Sequence, residues 1–451
     1  MRSTLGFASV CIVSTLLLSL GCSGRNKTHY PGEAASGIYA RDVFDPVAQT
    51  TGSSQGTIDS NEKYLIEAHD KRKAEIPLGK KPRNVLCLSG GGALGAYSAG
   101  VLCAWTSKGD RPTFDVVTGI STGALIAPFA FLGPKYDEQM KQFYTTLSND
   151  DIYKKRIARA ILFGEEGLAD NQPLSDQIDK VFTSEVMAEL AAAHAQGRHL
   201  YVGTTLTEGR RFIVWDITEI AARNGPCDRV LIRQILLGSS AIPGFFPPAK
   251  IDVTVDGKRY TERHSDGGTV VAIFFRPPYV PEELRNDKHA MNYAGTQVWA
   301  LVAGKLWPDP VDTGHSALAF AGKSVSTMLY AGTRNDLFRI YTKCMLNGVD
   351  FHLTAIPSEY TGSDSSADFN PVEMTKLFNE GYRVVCSGTA WRPEPPGARA
   401  EEGETWKFRN GTNLAWEQKG PVNPIKGPKD KQIPPYFGSS DSGIPVVPLI
   451  K

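Results

Sequence analysis

The sequence predicts an α/β fold, a mostly parallel central sheet covered by helices, and three observations carry that expectation. A short apolar run, Asn84-Val85-Leu86-Cys87-Leu88, leads through the glycine-rich Ser89 to Gly95 into a stretch of helical character from about 95 to 107. A second run, Phe114-Asp115-Val116-Val117-Thr118, leads through Gly119-Ile120-Ser121-Thr122-Gly123 into another helix from about 122. Further along, His199–Thr205, Phe212–Trp215 and Thr296–Val302 read as strands, while 177–195, 316–345 and 371–384 read as long helices.

With 451 residues the chain is long enough to bury a full core. Hydrophobic residues at 41% and charged residues at 22% are those of a globular protein, and a net charge of +1 offers no attraction for nucleic acid, which is excluded as a partner class. Of seven cysteines, Cys11 and Cys22 lie near the N-terminus, leaving Cys87, Cys103, Cys227, Cys344 and Cys386, an odd number that cannot all pair. Cys87 and Cys103 read as core thiols, and Cys344 with Cys386 is the one pairing the sequence suggests. No C-x-x-C and no metal-ligand spacing occurs, so no metal is expected.

The first 22 residues differ from the rest. Arg2 is their only charged side chain, and Leu5 to Leu20 is a mostly apolar stretch, as in an export signal. At about 15 residues it is short of the roughly 20 a membrane helix needs. Leu18-Ser19-Leu20-Gly21-Cys22 resembles the bacterial lipoprotein box, which implies that Cys22 is lipidated and becomes the mature N-terminus. Ser19 stands where Leu is commoner, and Ser23 after the cysteine favours the outer membrane, facing the periplasm. The expected organisation is a signal peptide over 1–22, a flexible tether over 23–75, a catalytic body over 76–390, and a Pro-, Gly- and charge-rich tail over 391–451.

Gly90, Gly92 and Gly95 satisfy G-x-G-x-x-G with a strand before and a helix after, which fits a dinucleotide site. A dinucleotide fold, however, wants an acid at the end of its second strand for the ribose, and here Asp115 opens that strand while a serine follows it. Gly-Lys-Ser/Thr is also missing, so an ordinary Walker loop fails. Gly119-Ile120-Ser121-Thr122-Gly123 is a G-x-S-x-G between strand and helix, the context in which a sharp turn needs small neighbours and thrusts its serine hydroxyl into the cleft above the sheet. Beside such an elbow the glycine amides, unblocked by side chains and backed by a helix N-terminus, would stabilise an oxyanion, each donor being worth roughly 3–4 kcal/mol in the transition state.

A serine nucleophile needs a base. Arg263-His264-Ser265-Asp266-Gly267-Gly268 offers both an imidazole and a carboxylate, so a Ser-His-Asp triad is open on the residues alone, provided the segment is extended enough for His264 and Asp266 to share a side. Gly90-Gly91-Gly92-Ala93-Leu94-Gly95, Gly119-Ile120-Ser121-Thr122-Gly123 and Asp266-Gly267-Gly268, in that order, resemble the three motifs of patatin-like phospholipases; Ser239 to Pro248 resembles the small-residue and Phe-Pro-Pro segment before the third. The resemblance covers about residues 82 to 388 and implies a three-layer α/β/α fold and a serine acyl hydrolase that needs no metal or cofactor. By the resemblance Ser121 is the nucleophile and Asp266 its base, without histidine. Gly90, Gly91, Gly92 and Gly95 form the oxyanion loop with the Thr122 amide as a further donor, while Gly119, Gly123, Gly267 and Gly268 support the two catalytic turns. The implied partner is a phospholipid or related lipid ester at a membrane face.

Two positions depart from the family pattern. Leu94 stands where Arg or Lys is usual, and Thr269-Val270-Val271-Ala272-Ile273 lacks the Asn often found after the Asp motif. Away from the motifs the readings are structural. Asp170 caps a helix ahead of Pro173, Tyr97, Phe129, Phe131, Phe245 and Phe246 are core aromatics, and Lys154-Lys155-Arg156 and Lys426, Lys429 and Lys431 are solvated charge. A catalytically silent lipid-binding or scaffold lipoprotein of the same fold is the rival to the hydrolase. The oligomeric state is not legible.

Overall fold

A computed structural model of the chain describes residues 40–42, 58–74, 83–278, 293–306, 317–363, 365–396 and 398. The signal segment, Cys22 and the tail beyond 398 lie outside the described residues.

The central sheet is mixed and mostly parallel. Its strands are β1 (Ala40–Asp42), β2 (Asn84–Leu88), β3 (Val116–Gly119), β4 (His199–Leu206), β5 (Arg211–Asp216), β6 (Ala249–Val255), β7 (Lys258–Asp266), β8 (Gln297–Lys305) and β9 (Asp350–Ile356). They run in the order β1-β5-β4-β3-β2-β8-β9, with β7 joining the far end of β4 and β6 pairing β7. The five strands from β4 to β9 in that order are parallel, while β1, β5, β6 and β7 pair antiparallel.

Strand periodicity sends alternate side chains to opposite faces, and β2 shows it directly: Leu86 and Leu88 enter one core, Val85 and Cys87 the other. The first face is covered by α2 (Gly95–Lys108), α3 (Thr122–Leu132), α4 (Asp137–Thr146), the pair α6 (Gln172–Val181) and α7 (Ser184–Ala195), α8 (Ile217–Arg223), α9 (Asp228–Ser239) and α11 (Pro371–Cys386). The second is covered by α10 (Ala317–Leu346), with Leu65 of α1 (Ile58–Ala74) packed against it. A last helix, α5 (Ile157–Phe163), is carried on an excursion that is closed at its base where Lys154–Lys155 pairs Ala169–Asp170. This is the expected three-layer α/β/α arrangement.

Several local expectations need correcting. The tether expected over 23–75 contains a helix from 58 to 74, held by Leu65 in the second core and by Lys73 and His69 on Asp350, at 2.6 and 3.3 Å. The helical stretch read at 177–195 is two helices, because Thr183 breaks the first and caps the second through the Val186 amide. The strand read at 114–118 is shifted to 116–119. The body does not stop at 390: Trp391 packs 4.8 Å from both Trp105 and Trp299, and Arg392 pairs with Leu353. Cys344 and Cys386 are unpaired, one buried and one exposed. Burial pushes the Cys87 and Cys103 thiols up to about 12, so both are the inert core groups expected. Among the described residues no helix is long and apolar enough to cross a membrane.

Candidate active site

The parallel strand β3 ends at Gly119, and the chain turns through Ile120 and Ser121 directly into α3. Ser121 has φ 54 and ψ −126. A non-glycine residue pays roughly 1–3 kcal/mol for such a backbone and keeps it only where its surroundings over-determine it. Here the Ser121 amide donates to Ser239 Oγ at 3.0 Å, and Ser239 Oγ donates to the Gly203 carbonyl at 2.7 Å. The fully buried Ser239, the last residue of α9, thereby ties the elbow to β4. The flanking glycines are required by space: a Cβ on Gly119 would stand 2.5 Å from the Gly123 carbonyl oxygen, and one on Gly123 2.5 Å from that of Leu88.

Strand register brings Asp266 to this serine across 145 positions of sequence (266 − 121). Gly119, the last residue of β3, sits opposite Val202 of β4. Two residues further along β4, where β3 would have continued had it not turned, β7 takes its place, and Thr204 faces Asp266. Asp266 therefore lies where Ser121, two residues past Gly119, emerges, close enough for the Ser121 side chain to favour its ionised carboxylate. The carboxylate also accepts from the Gly268 amide at 2.7 Å; the Asp266 amide donates to the Ala241 carbonyl at 2.8 Å, and its carbonyl accepts from Thr205 Oγ1 at 3.0 Å. Burial pushes the Asp266 carboxyl up to about 6, against the opposing pull of the Ser121 side chain and the Gly268 amide.

The glycine loop divides by what its amides do. Gly90 lies against the elbow, a Cβ there standing 3.2 Å from Ser121 Cβ, but its amide donates to the Ala272 carbonyl at 3.2 Å. The Gly95 amide is spent inside the turn over Gly92 and Ala93, and a Cβ at Gly95 would stand 2.4 Å from Thr122 Oγ1. These two glycines provide room, which corrects their expected place as donors. The Gly91, Gly92 and Thr122 amides have no acceptor among the described residues. Thr122, first residue of α3, is fixed through its hydroxyl to Tyr144 at 2.6 Å, and the positive end of that helix faces the same point. Leu94 is buried in the first core, so the family's basic position is filled by a packing residue.

His264 is fully buried, with Nδ1 3.0 Å from Thr204 Oγ1 and Nε2 3.0 Å from Glu262 Oε2. Both ring nitrogens are committed away from Ser121, even though the segment is extended. Asp170 receives the Gln172 amide at 3.1 Å and pairs with Arg156, but the N-cap of the helix is Asn171, so Asp170 stands one position before the cap expected of it.

Sequence reasoning missed Asp336. From α10 its carboxylate accepts the Ala272 amide at 2.8 Å, and the neighbouring Ile273 backbone further favours its ionised form. It thus anchors the segment after the Asp motif, where the expected Asn is absent, and through the Ala272 carbonyl it braces Gly90. No local pattern marks a residue 70 positions beyond Asp266 (336 − 266) for that task. Ser239 was noted only as part of a small-residue segment. The one grouping of metal-ligand types among the described residues, His194, His199 and Asp216, is elsewhere: His199 pairs with Val116, at the opposite end of β3 from Ser121.

Residues 86–277 match the family model for patatin-like phospholipase. Over this stretch the chain has a domain similar to patatin-like phospholipases. That domain holds the elbow, the glycine loop and the Asp266 turn, while β8, β9, α10 and α11 lie beyond it and complete the sheet and its two covers. Among solved structures, VipD from Legionella pneumophila is similar at 12% identity and a TM-score of 0.34, over 69% of this chain and 68% of that one. Human GIVD cytosolic phospholipase A2 is similar at 8% identity and a TM-score of 0.24, over 60% of this chain and 49% of that one, so the chain spans about half its length. No curated protein sequence matches the chain.

Proposed function

We propose that the protein is a lipid acyl hydrolase working through Ser121 and Asp266. One observation carries the reading: a serine held at a strained elbow where strand register brings a buried carboxylate, with the Thr122 amide, which has no acceptor among the described residues, next to it and the glycine loop packed against it through Gly90. In the proposed course Ser121 Oγ attacks the ester carbonyl carbon while its proton passes to Asp266. The Gly91, Gly92 and Thr122 amides stabilise the resulting oxyanion. Collapse expels the alcohol, which takes the proton from Asp266 and leaves an acyl group on Ser121. Water then attacks this acyl group, giving its proton to Asp266, and the second collapse frees the fatty acid and returns that proton to Ser121. The substrate class is a phospholipid or related lipid ester. A fluorophosphonate probe is expected to form one adduct, on Ser121, with loss of fatty-acid release from mixed phospholipid. Folded protein that stays unlabelled and still releases fatty acid would overturn the assignment.

The lipoprotein-like N-terminus supports an exported protein anchored through Cys22, with Ser23 favouring the outer membrane. In that organisation 1–21 is removed as a signal, Cys22 becomes the acylated N-terminus, and the segment from 23 to 57 links the anchor to α1. The tail begins after the residues that pack around Trp391. The mature N-terminal peptide should carry two or three acyl chains on Cys22 by mass spectrometry; an unmodified cysteine there would refute the anchor.

A further inference from the structure

The two most exposed large apolar side chains of the described body, Phe163 and Leu162, sit side by side at the end of α5, and Ile157 at its start is half exposed. Phe163 is 75% exposed, Leu162 71% and Ile157 50%. Residues free over that much of their surface project from the fold; the floor of a groove built to receive a protein helix would leave them half-buried. At the base of the excursion stand Lys154 and Lys155, both exposed and without an ion pair among the described residues. Of the acids nearby, Asp170 is paired with Arg156, Glu165 with Arg159 and Glu166 with Arg263, while Asp150 and Asp368 share a cavity lining with Lys155. The excursion thus presents an apolar tip above a base that carries two exposed lysines in no ion pair among the described residues. The two lysines read from sequence as merely solvated charge, and their position beside an apolar tip gives them a use.

The excursion is also coupled to the active site. Leu168 and Ala169 donate to the carbonyls of Gly244 and Phe245, at 3.3 and 2.9 Å, and Tyr153, at the foot of the excursion, packs edge-on 5.0 Å from the Phe245 ring. Ala241, a few residues earlier in that same segment, receives the Asp266 amide. An object held by the tip is thus held beside the segment that supports the base.

We propose that α5 and its flanking lysines are a membrane-docking element, Leu162 and Phe163 inserting among the acyl chains of an anionic bilayer while Lys154 and Lys155 meet its headgroup phosphates. The inference rests on the lipid-hydrolase reading and adds the surface by which the enzyme meets its substrate. It is independent of any anchor at Cys22, because a lipidated N-terminus ties the chain to a membrane without fixing which face of the body approaches it.

The test uses the full chain carrying Ser121→Ala, so that no lipid is consumed, with the exposed Cys227 and Cys386 replaced by serine and an environment-sensitive fluorophore placed at Phe163→Cys. Vesicles containing phosphatidylglycerol should blue-shift the probe. Phosphatidylcholine vesicles, or the added pair Lys154→Glu and Lys155→Glu, should weaken the response about tenfold or more. In the chain with Ser121 intact, Leu162→Ser with Phe163→Ser should leave kcat/KM on a soluble short-chain ester unchanged and lower hydrolysis of anionic vesicles about tenfold or more. A probe that stays unshifted while the protein co-sediments with vesicles would overturn the proposal, since another surface then faces the lipid. So would a shift that follows protein concentration without vesicles, which makes the patch a contact between copies. Equal loss on the soluble ester and on vesicles would place the two residues in folding or catalysis and likewise overturn it. If the probe shifts but no ester is hydrolysed by any form, the hydrolase reading fails while the docking surface stands.

Discussion

Ser121→Ala is expected to lower ester turnover by about 10⁴-fold or more with the fold intact, as measured by single-turnover release of fatty acid alongside the thermal midpoint. The magnitude follows from what remains. With the nucleophile gone the covalent route is closed, and only substrate positioning and amide donors persist; in enzymes of this logic losing the serine costs roughly 10⁶ while a residual 10³–10⁴ over water survives. Stability should respond differently to two replacements. Alanine keeps the strained φ of 54, so Ser121→Ala should change stability little, the Ser239 bond to the Ser121 amide being retained. Glycine relieves roughly 1–3 kcal/mol of backbone strain at the cost of about 0.5–1 kcal/mol of added chain entropy. Ser121→Gly should therefore be as inactive as the alanine variant and melt no lower than the parent. A glycine variant that melts well below the alanine variant would mean that the elbow is not strained.

The asymmetry between Ser121 and Asp266 explains how much of this site the sequence could display. Ser121 was legible because an elbow is local: a strand, small residues and a helix occur within a dozen positions. Asp266 was in view from the residues only as one carboxylate of an open triad, and as the base itself only through family resemblance, since its approach to Ser121 depends on β4 outrunning β3 and pairing with β7 instead. The hairpin that delivers it was overlooked although Ala249–Val255 alternates apolar and polar residues, because its partner Lys258–Asp266 is laden with charged and hydroxyl side chains. The Asp256-Gly257 pair between them, with φ 48 and 74, is the turn chemistry that could have revealed it. The glycine loop taught a different limit. Spacing shows that a backbone can approach closely, but it does not show where each amide points, and so Gly90 and Gly95 were grouped with donors when their hydrogen bonds are spent inside the fold. Asp336 had no signal at all, because its partners are backbone amides far away in sequence. The charged helix at 58–74 escaped notice because Leu65 and the bonds to Asp350 hold it, and neither is visible in its own periodicity.

Asp266→Asn should reduce turnover about 10²–10⁴-fold, the contribution typical of a positioned base, and should abolish the acidic limb of the pH profile. The wild-type rate on a soluble ester should rise with pH through about 6, the value to which burial pushes the Asp266 carboxyl, because only the ionised form can take the Ser121 proton. Stability must run the other way. A carboxyl whose pKa is raised from 3.8 to about 6 on folding binds its proton more tightly in the folded chain than in the unfolded one, so the folded state loses stability as pH climbs from about 4 to 6. Asp336, raised to about 6 chiefly by burial, adds to the same trend. Activity and stability therefore diverge across one pH window, and the ionised Asp266 costs on the order of 2–3 kcal/mol at neutral pH. The asparagine side chain can still accept the Gly268 amide without carrying that charge, so Asp266→Asn should melt higher than the parent at pH 7 while being nearly inactive. His264→Ala provides the opposing control: it removes bonds to Thr204 and Glu262 and should lower the thermal midpoint, yet below that midpoint it should keep most of the turnover. Folded His264→Ala without activity, beside an active Asp266→Asn, would restore a histidine base and displace Asp266 from the mechanism.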